Sequence, residues 1–384
     1  MNSKNTQILA ALLMVLGLFY ISVQIVFLDY FNSYGFTFGM SDVDNYMIMI
    51  RTGQFKWEKP LIYLIGISTP FPDFLMTVLV PFFGCIMLPL SVYIFGFYMS
   101  RNNFTAILTL LFFILGTYSL QSFIIWSLWG QYFSLIFFIL FVVFFEEFLK
   151  RKSSDVGILA SLMALISFLF HTKLSLTILV YIVARDFARN HRIRYMVWSI
   201  TVALLAYNFG FELDYPSSIP ILYIFTVFAS SLIWVFAGSY IVEFWKSMDK
   251  THRTLVLFSI FMIAASPLFA LSRLVLSTLP FVSYFAAMFV KNTKLVPNNT
   301  IRYILISAVI ILLLMHFIAI TNNKMAQMLW EMLPQGKEKE SDYRHIDPMP
   351  FARMMYGDNA EFRVSGYVYF NNTVETVEFL HNKA

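Results

Sequence analysis

The chain has 384 residues, of which 59% are hydrophobic and 18% aromatic, while only 13% are charged; a soluble domain carries about a quarter. Mean hydropathy is +0.70, and Phe and Tyr run along the whole length, which excludes a soluble protein with one anchor and reads as an all-α polytopic membrane protein. The lone cysteine, Cys85, excludes an intramolecular disulfide and any cysteine-based metal site, and the net charge of +5 reports topology before partners, with no reason to expect nucleic acid.

Apolar runs of about twenty residues can cross roughly 30 Å of hydrocarbon. They predict spans near 8–28, 75–100, 104–124, 132–149, 156–171, 174–187, 195–211, 219–245, 254–271, 274–290 and 303–321, about eleven in all. The sixth is short enough to be re-entrant. The first is long, ends in Asp29 and lacks a small-residue cleavage site, so it reads as a span rather than a signal peptide. With a cytoplasmic N-terminus, 15 of the 27 basic residues fall in inner segments, five in short outer loops (Arg51, Lys56, Lys59, Lys173, Arg273) and seven after residue 322. That asymmetry obeys the positive-inside rule and puts the C-terminal tail outside a multi-pass cell-membrane protein.

The longest gap, residues 29–74, reads as two short surface elements. Ser41 can cap a helix over 42–53, where Val43, Met47 and Ile50 form an apolar face and Gly53 offers a stop. "KPLIYLIGIS" is about ten residues long, too short to span, and is closed by "TPFPDF". Both elements fit amphipathic helices lying on the outer surface.

Two carboxylates open this loop. Asp44 has a bland explanation, since acids in a first helical turn are favoured by the helix dipole. Asp42 has Tyr46 at i+4 on the same face, and a carboxylate at a low-dielectric boundary can act as a general base. Further along, "WSLWGQY" is what an interfacial aromatic belt contains. Alternatively, Gly130 lets the backbone turn tightly, while Trp129, Gln131 and Tyr132 stack on a sugar and hydrogen-bond to it. His171 sits at a span end, either as a dipole partner or as a ligand. Lys173 and Arg273 interrupt apolar runs; each either snorkels or binds an anion, and a lipid phosphate at the interface suits both. Glu146 and Glu147, beside Lys150, Arg151 and Lys152, read as an inner-surface charge cluster. Asn208 and His316 read as polar glue between helices. There is no Gly-rich phosphate loop, zinc motif or nucleophile elbow.

"DVDNYMIMIRTGQF...KPLIYL" resembles the first outer loop of GT-C glycosyltransferases, in which D-x-x-x-Y leads into a helix ending near Gly and a Pro-containing surface helix follows. "LPLSVYIFGFYMSR" is similar to that family's second transmembrane helix. "LWGQYFSLIFFILFVVFFEEFLKRK" and "LISFLFHTK" resemble the fourth and fifth spans of archaeal and oligosaccharyltransferase-like members, and "SRLVLSTLPFVSYFAAMFV" their Arg-to-Pro segment opening a late helix. The resemblance covers roughly residues 1–290. It implies a transmembrane domain over 1–321 and transfer of a sugar from a polyprenyl-phosphate carrier on the outer face. Asp42 would be the catalytic carboxylate, with Asp44 beside it. Tyr46, Trp129, Gln131, Tyr132, His171, Lys173 and Arg273 would contact the donor. Gln131 stands where the family commonly carries a second acid, so no metal ligand set is assigned, and a divalent cation (Mg or Mn) is an option rather than an expectation.

Residues 322–384 form a separate extracytoplasmic tail: a polar linker, "EFRVSGYVYF" alternating like a strand, and "TVETVEFLHNK" as a short helix, together a small α/β unit. Asn371 opens a glycosylation sequon. No "WWDYG"-type motif is present, so the chain does not read as an oligosaccharyltransferase itself. The principal rival is a non-catalytic subunit or assembly factor on the same scaffold, working with a membrane protein partner. A transporter is disfavoured by the lack of an internal repeat or of paired interrupted spans.

Overall fold

The computed structural model describes residues 59–69, 79, 82–84, 86–117, 129–190, 230–268, 272–292 and 307–311. All regular structure among these is helical. In chain order the helices are α1 (Pro60–Ser68), α2 (Leu88–Ser100), α3 (Asn103–Gly116), α4 (Trp129–Arg151), α5 (Ser154–Phe170), α6 (Thr172–Asn190), α7 (Ser231–Phe244), α8 (Lys250–Leu268) and α9 (Leu279–Asn292). Short 3-10 segments, Trp245–Ser247 and Ser272–Thr278, precede α8 and α9. Among the described residues, two stretches, Phe82–Ser100 and Trp129–Arg151, are long and apolar enough to cross a membrane.

Most boundaries follow local chemistry. Pro60 and Pro89 lie in the first turns of α1 and α2, where a missing N–H costs nothing. Asn102 caps α3 by accepting from the Thr105 N–H at 3.0 Å. Asp249 caps α8 by accepting from the His252 N–H at 2.8 Å. α1 is nine residues long, the short apolar element expected there. The sixth predicted span is longer than its apolar run: α6 has 19 residues, because Thr172 and the polar end Arg185–Asn190 continue the same helix. The run expected near 274–290 divides, with 272–278 wound as a tight 3-10 helix and α9 beginning just before Pro280. The predicted spans 8–28 and 195–211, the surface helix at 42–53 and the tail lie outside the described residues.

α4 is the hub. It packs along α5 and also meets α2 and α6; α3 packs on α2 and α9, α7 on α9, and α8 on α6. Nearly every side chain of α4 from Trp129 to Val143 is buried. The Phe138 ring joins Tyr181 of α6 (6.3 Å between centroids), Phe258 of α8 (5.5 Å) and Phe281 of α9 (5.9 Å). The Tyr181 and Phe281 contacts are edge-on and the Phe258 contact is tilted; aromatic pairs of this kind add about 0.5–1.5 kcal/mol each beyond area burial. Gly96 permits α2 and α3 to touch: a Cβ there would stand 3.1 Å from the Ala106 Cα. Large apolar side chains face outward, among them Val242 (85% exposed), Ile158 (66%) and Val235 (61%).

Candidate functional site

A reciprocal serine pair sets the register of α4 against antiparallel α5. Ser134 Oγ donates to the Ser167 carbonyl at 2.7 Å, and Ser167 Oγ donates to the Ser134 carbonyl at 2.9 Å. Towards the end of the hairpin, Phe170 meets Phe133 (5.5 Å), Phe137 (5.6 Å) and Phe83 (5.4 Å). That packing brings the first turn of α4 (Trp129, Gln131, Tyr132) level with the α5–α6 junction at His171.

All of these residues are buried. Trp129 and Tyr132 are 2% and 1% exposed, so neither ring offers an open face. Gly130 lies within the first turn of α4, so it makes no tight turn there: α4 starts one residue before it, and the helix absorbs it. Gln131 is 3% exposed, and both of its amide atoms lack a hydrogen-bond partner among the described residues. A buried primary amide left so costs about 1–3 kcal/mol, which makes it the most demanding polar group at this end. His171 is the single residue between α5 and α6, in extended backbone, with its N–H given to the Ser167 carbonyl at 3.2 Å. Its Nδ1 accepts from the Leu174 N–H at 3.3 Å, which leaves Nε2 to carry the ring proton.

Lys173 and Arg273 are located by their backbones, in the first turn of α6 and in the 3-10 segment Ser272–Thr278. α6 and α8 run antiparallel, with Tyr181 against Phe258 at 5.9 Å. The 3-10 segment follows α8 and packs on α6, α8 and α9. It therefore sits at the end of the bundle where α6 begins, and the chain topology brings 131, 171, 173 and 273 to one end. Asp42, Asp44 and Tyr46 lie outside the described residues. Among the described residues no three His, Cys, Asp or Glu side chains gather as a metal site would require.

The opposite end holds groups that sequence reasoning undervalued. Glu146 is not part of a surface cluster; it is 0% exposed. Its Oε1 accepts from the Tyr181 hydroxyl at 3.0 Å and its Oε2 from the Thr251 hydroxyl at 2.8 Å. Arg185 Nε approaches Oε1 to 2.8 Å, poorly aligned for a hydrogen bond, and its Nη1 has no hydrogen-bond partner among the described residues. One carboxylate thus ties α4, α6 and α8. A signal existed: Ile139, Val142 and Glu146 share one helical stripe, at i, i+3 and i+7, and the first two are fully buried. Glu147, one residue on, does behave as a charge-cluster residue. It accepts from the Tyr98 hydroxyl at 3.0 Å, pairs with Arg151 and lies 3.9 Å from Arg101.

A third group stands on the α7–α8 turn. The Asp249 carboxylate contacts His252 Nδ1 at 2.8 Å, and His252 Nε2 lies 2.8 Å from the Tyr284 hydroxyl. The His252 ring N–H, aided by the His252 and Thr251 backbone N–H groups, holds the Asp249 carboxyl well below the usual carboxylate range, against the opposing effect of partial burial. A depressed native pKa stabilises the fold above the unfolded value and loses that contribution as pH falls toward the native one. Asp249→Ala is expected to lower the unfolding midpoint at neutral pH, at a cap-loss cost of about 0.5–2 kcal/mol. The gap to wild type should narrow below about pH 4. Denaturation of detergent-solubilised protein at stepped pH measures this; a gap that widens as pH falls would contradict it.

No family model matches the chain, nor does any curated protein or solved structure.

Proposed function

We propose that this is a multi-pass membrane glycosyltransferase of the GT-C type, with about eleven spans and a cytoplasmic N-terminus, which transfers a sugar from a polyprenyl-phosphate carrier to an acceptor on the outer face. The observation that carries the reading is the Gln131 amide, buried yet without a hydrogen-bond partner among the described residues, at the end of the bundle where Lys173 and Arg273 enter their helical segments. The charge asymmetry between bundle ends agrees with the orientation. Arg101, Lys150, Arg151, Lys152, Lys246, Lys250 and Arg253 all belong to the end of the bundle away from Gln131.

In this reading the Asp42 carboxylate takes the proton of the acceptor hydroxyl as its oxygen attacks the anomeric carbon. The bond from that carbon to the phosphate oxygen breaks, and its electron pair leaves with the lipid phosphate. Arg273 and Lys173, with the His171 Nε2–H, neutralise that phosphate, a role that otherwise falls to a divalent cation. Gln131 offers the sugar one acceptor and two donors, and Trp129 and Tyr132 wall that position. Asp44 and Tyr46 complete the loop.

A second reading, a non-catalytic scaffold subunit, is favoured by the same position: Trp129 and Tyr132 are already covered, and Gln131 stands where a second acid is common in the family. The test is transfer from a radiolabelled polyprenyl-phosphate sugar by the purified protein in lipid nanodiscs. Label leaving the lipid for a water-soluble or protein-linked acceptor is the expected result. Label that stays on the lipid, with a membrane protein co-purifying in fixed ratio, selects the scaffold instead.

A further inference from the structure

The α2–α3 and α4–α5 turns lie side by side at the end of the bundle away from Gln131, and each presents a cation from a left-handed backbone position, Arg101 (φ 51°) and Lys152 (φ 54°). L-residues with side chains adopt this conformation at some cost, and both turns are otherwise tight: the Arg101 N–H reaches the Phe97 carbonyl at 2.8 Å, and the Lys152 N–H reaches the Phe148 carbonyl at 2.7 Å. Lys150 and Arg151 complete a corner of four cations. The acids there are Glu147, shared between Arg101, Arg151 and Tyr98, and the exposed Asp155 in the first turn of α5. Lys150 has no carboxylate within ion-pair distance among the described residues. It donates to the Tyr98 hydroxyl at 3.0 Å, and its ammonium lies 4.6 Å from that ring's centre, with the Arg101 guanidinium 4.9 Å from the same centre. The corner therefore keeps a surplus of positive charge, held in fixed geometry by neutral aromatic contacts and one bridging carboxylate.

Helix dipoles favour each cation singly, by about 0.3–1 kcal/mol at a C-terminus, but they give no reason to pool four from two separate hairpins. The surface that continues from the corner supplies one. Along α5, beginning six residues after Lys152, Ile158 (66% exposed), Leu162 (44%) and Leu165 (53%) form an outward apolar stripe at i, i+4 and i+7. A charged corner contiguous with an apolar stripe matches an amphiphile that carries an anionic head.

We propose that the Arg101–Lys150–Arg151–Lys152 corner binds the phosphate-bearing headgroup of an anionic phospholipid of the inner leaflet, whose acyl chains lie along the exposed face of α5. This rests on the membrane-embedded reading of the chain and is independent of sugar transfer. The corner is pre-formed, so the lipid pays little ordering entropy on the protein side, and each basic residue near an anionic surface contributes about 1 kcal/mol.

The test uses the full chain in nanodiscs of phosphatidylcholine mixed equally with phosphatidylglycerol, with the lipids retained after mild detergent exchange identified by native mass spectrometry. Wild type is expected to retain phosphatidylglycerol over phosphatidylcholine by roughly tenfold, the equivalent of one to two such contacts. Arg151→Gln with Lys152→Gln, both at exposed side chains, should bring the ratio close to parity, and Lys152→Gln alone should lower it partway without touching the Glu147 contacts. Equal retention of the two lipids by wild type, or an unchanged ratio in the double variant, overturns the proposal. So does displacement of the lipid by inorganic phosphate, which would make the site one for a soluble anion. Release of the protein from membranes by alkaline carbonate would instead overturn the membrane reading beneath it.

Discussion

Glu146→Ala is expected to cost about 3–5 kcal/mol of stability, the range seen when one partner of a buried ion pair is removed. The variant would leave the Arg185 charge in a site where its side chain is only 12% exposed. The Tyr181 and Thr251 hydroxyls would each lose the oxygen they now donate to. The three losses fall on two helices, Arg185 and Tyr181 on α6 and Thr251 on α8, so the damage spreads to the packing of both on α4. Much of the cost is a penalty on what remains, and this makes the prediction sharp. Glu146→Ala combined with Arg185→Leu should recover a large part of the stability, because a buried pair replaced by apolar groups is often close to neutral. Denaturant titration in mixed micelles measures both variants. A single variant within 1 kcal/mol of wild type, or a double variant no better than the single, would show that Glu146 is not the knot its burial suggests.

How legible this arrangement is from sequence depends on distance along the chain. The apolar run 132–149 announced α4 to within a few residues, because the unbroken apolar stretch Leu135–Phe145 within it admits few alternatives. His171 as the boundary between two helices was equally readable, since it interrupts the apolar run that continues through α6. The identity of the Glu146 partners was not readable. Tyr181 is 35 positions away and Thr251 is 105, and no local pattern couples them. A glutamate pair followed by Phe, Leu and three basic residues looks like an interface, and half of it is one: Glu147 is that kind of residue, whereas Glu146 faces the stripe of Ile139 and Val142.

The 3-10 segment Ser272–Thr278 escaped for another reason. Apolar composition does not distinguish three from 3.6 residues per turn; Pro280, in the first turn of α9, marks only where the α-helix begins. Gly130 misled in the opposite sense. Glycine permits a turn but does not impose one, and the packing of Trp129 and Tyr132 holds it in helix.

The same division governs the proposed chemistry. Its acid, Asp42, is read from sequence, and its polar anchor, Gln131, from burial, so the decisive experiment must address both. Asp42→Asn is expected to lower the transfer rate by about 10²- to 10⁴-fold, the usual contribution of a positioned base, with the KM for the lipid-linked donor little changed. Asparagine keeps the shape and can still cap a first turn, so the loss isolates proton removal. Asp44→Asn provides the contrast. If that residue only complements a helix dipole, it should cost about 0.3–1 kcal/mol of stability and leave the rate intact.

Gln131→Leu should act on the other parameter. Loss of a neutral hydrogen bond of about 0.5–1.5 kcal/mol raises the donor KM a few-fold, with the rate at saturation nearly preserved. The leucine variant should also be at least as stable as wild type without donor, because it removes a buried amide that has nothing to bond among the described residues. A chain kept for chemistry carries such a group at a cost to its own fold. A stability gain in Gln131→Leu accompanied by loss of donor affinity is therefore the signature of a binding position, and a gain with unchanged affinity would make the amide a packing defect. Full activity in Asp42→Asn would remove the base from the mechanism and the mechanism from this loop.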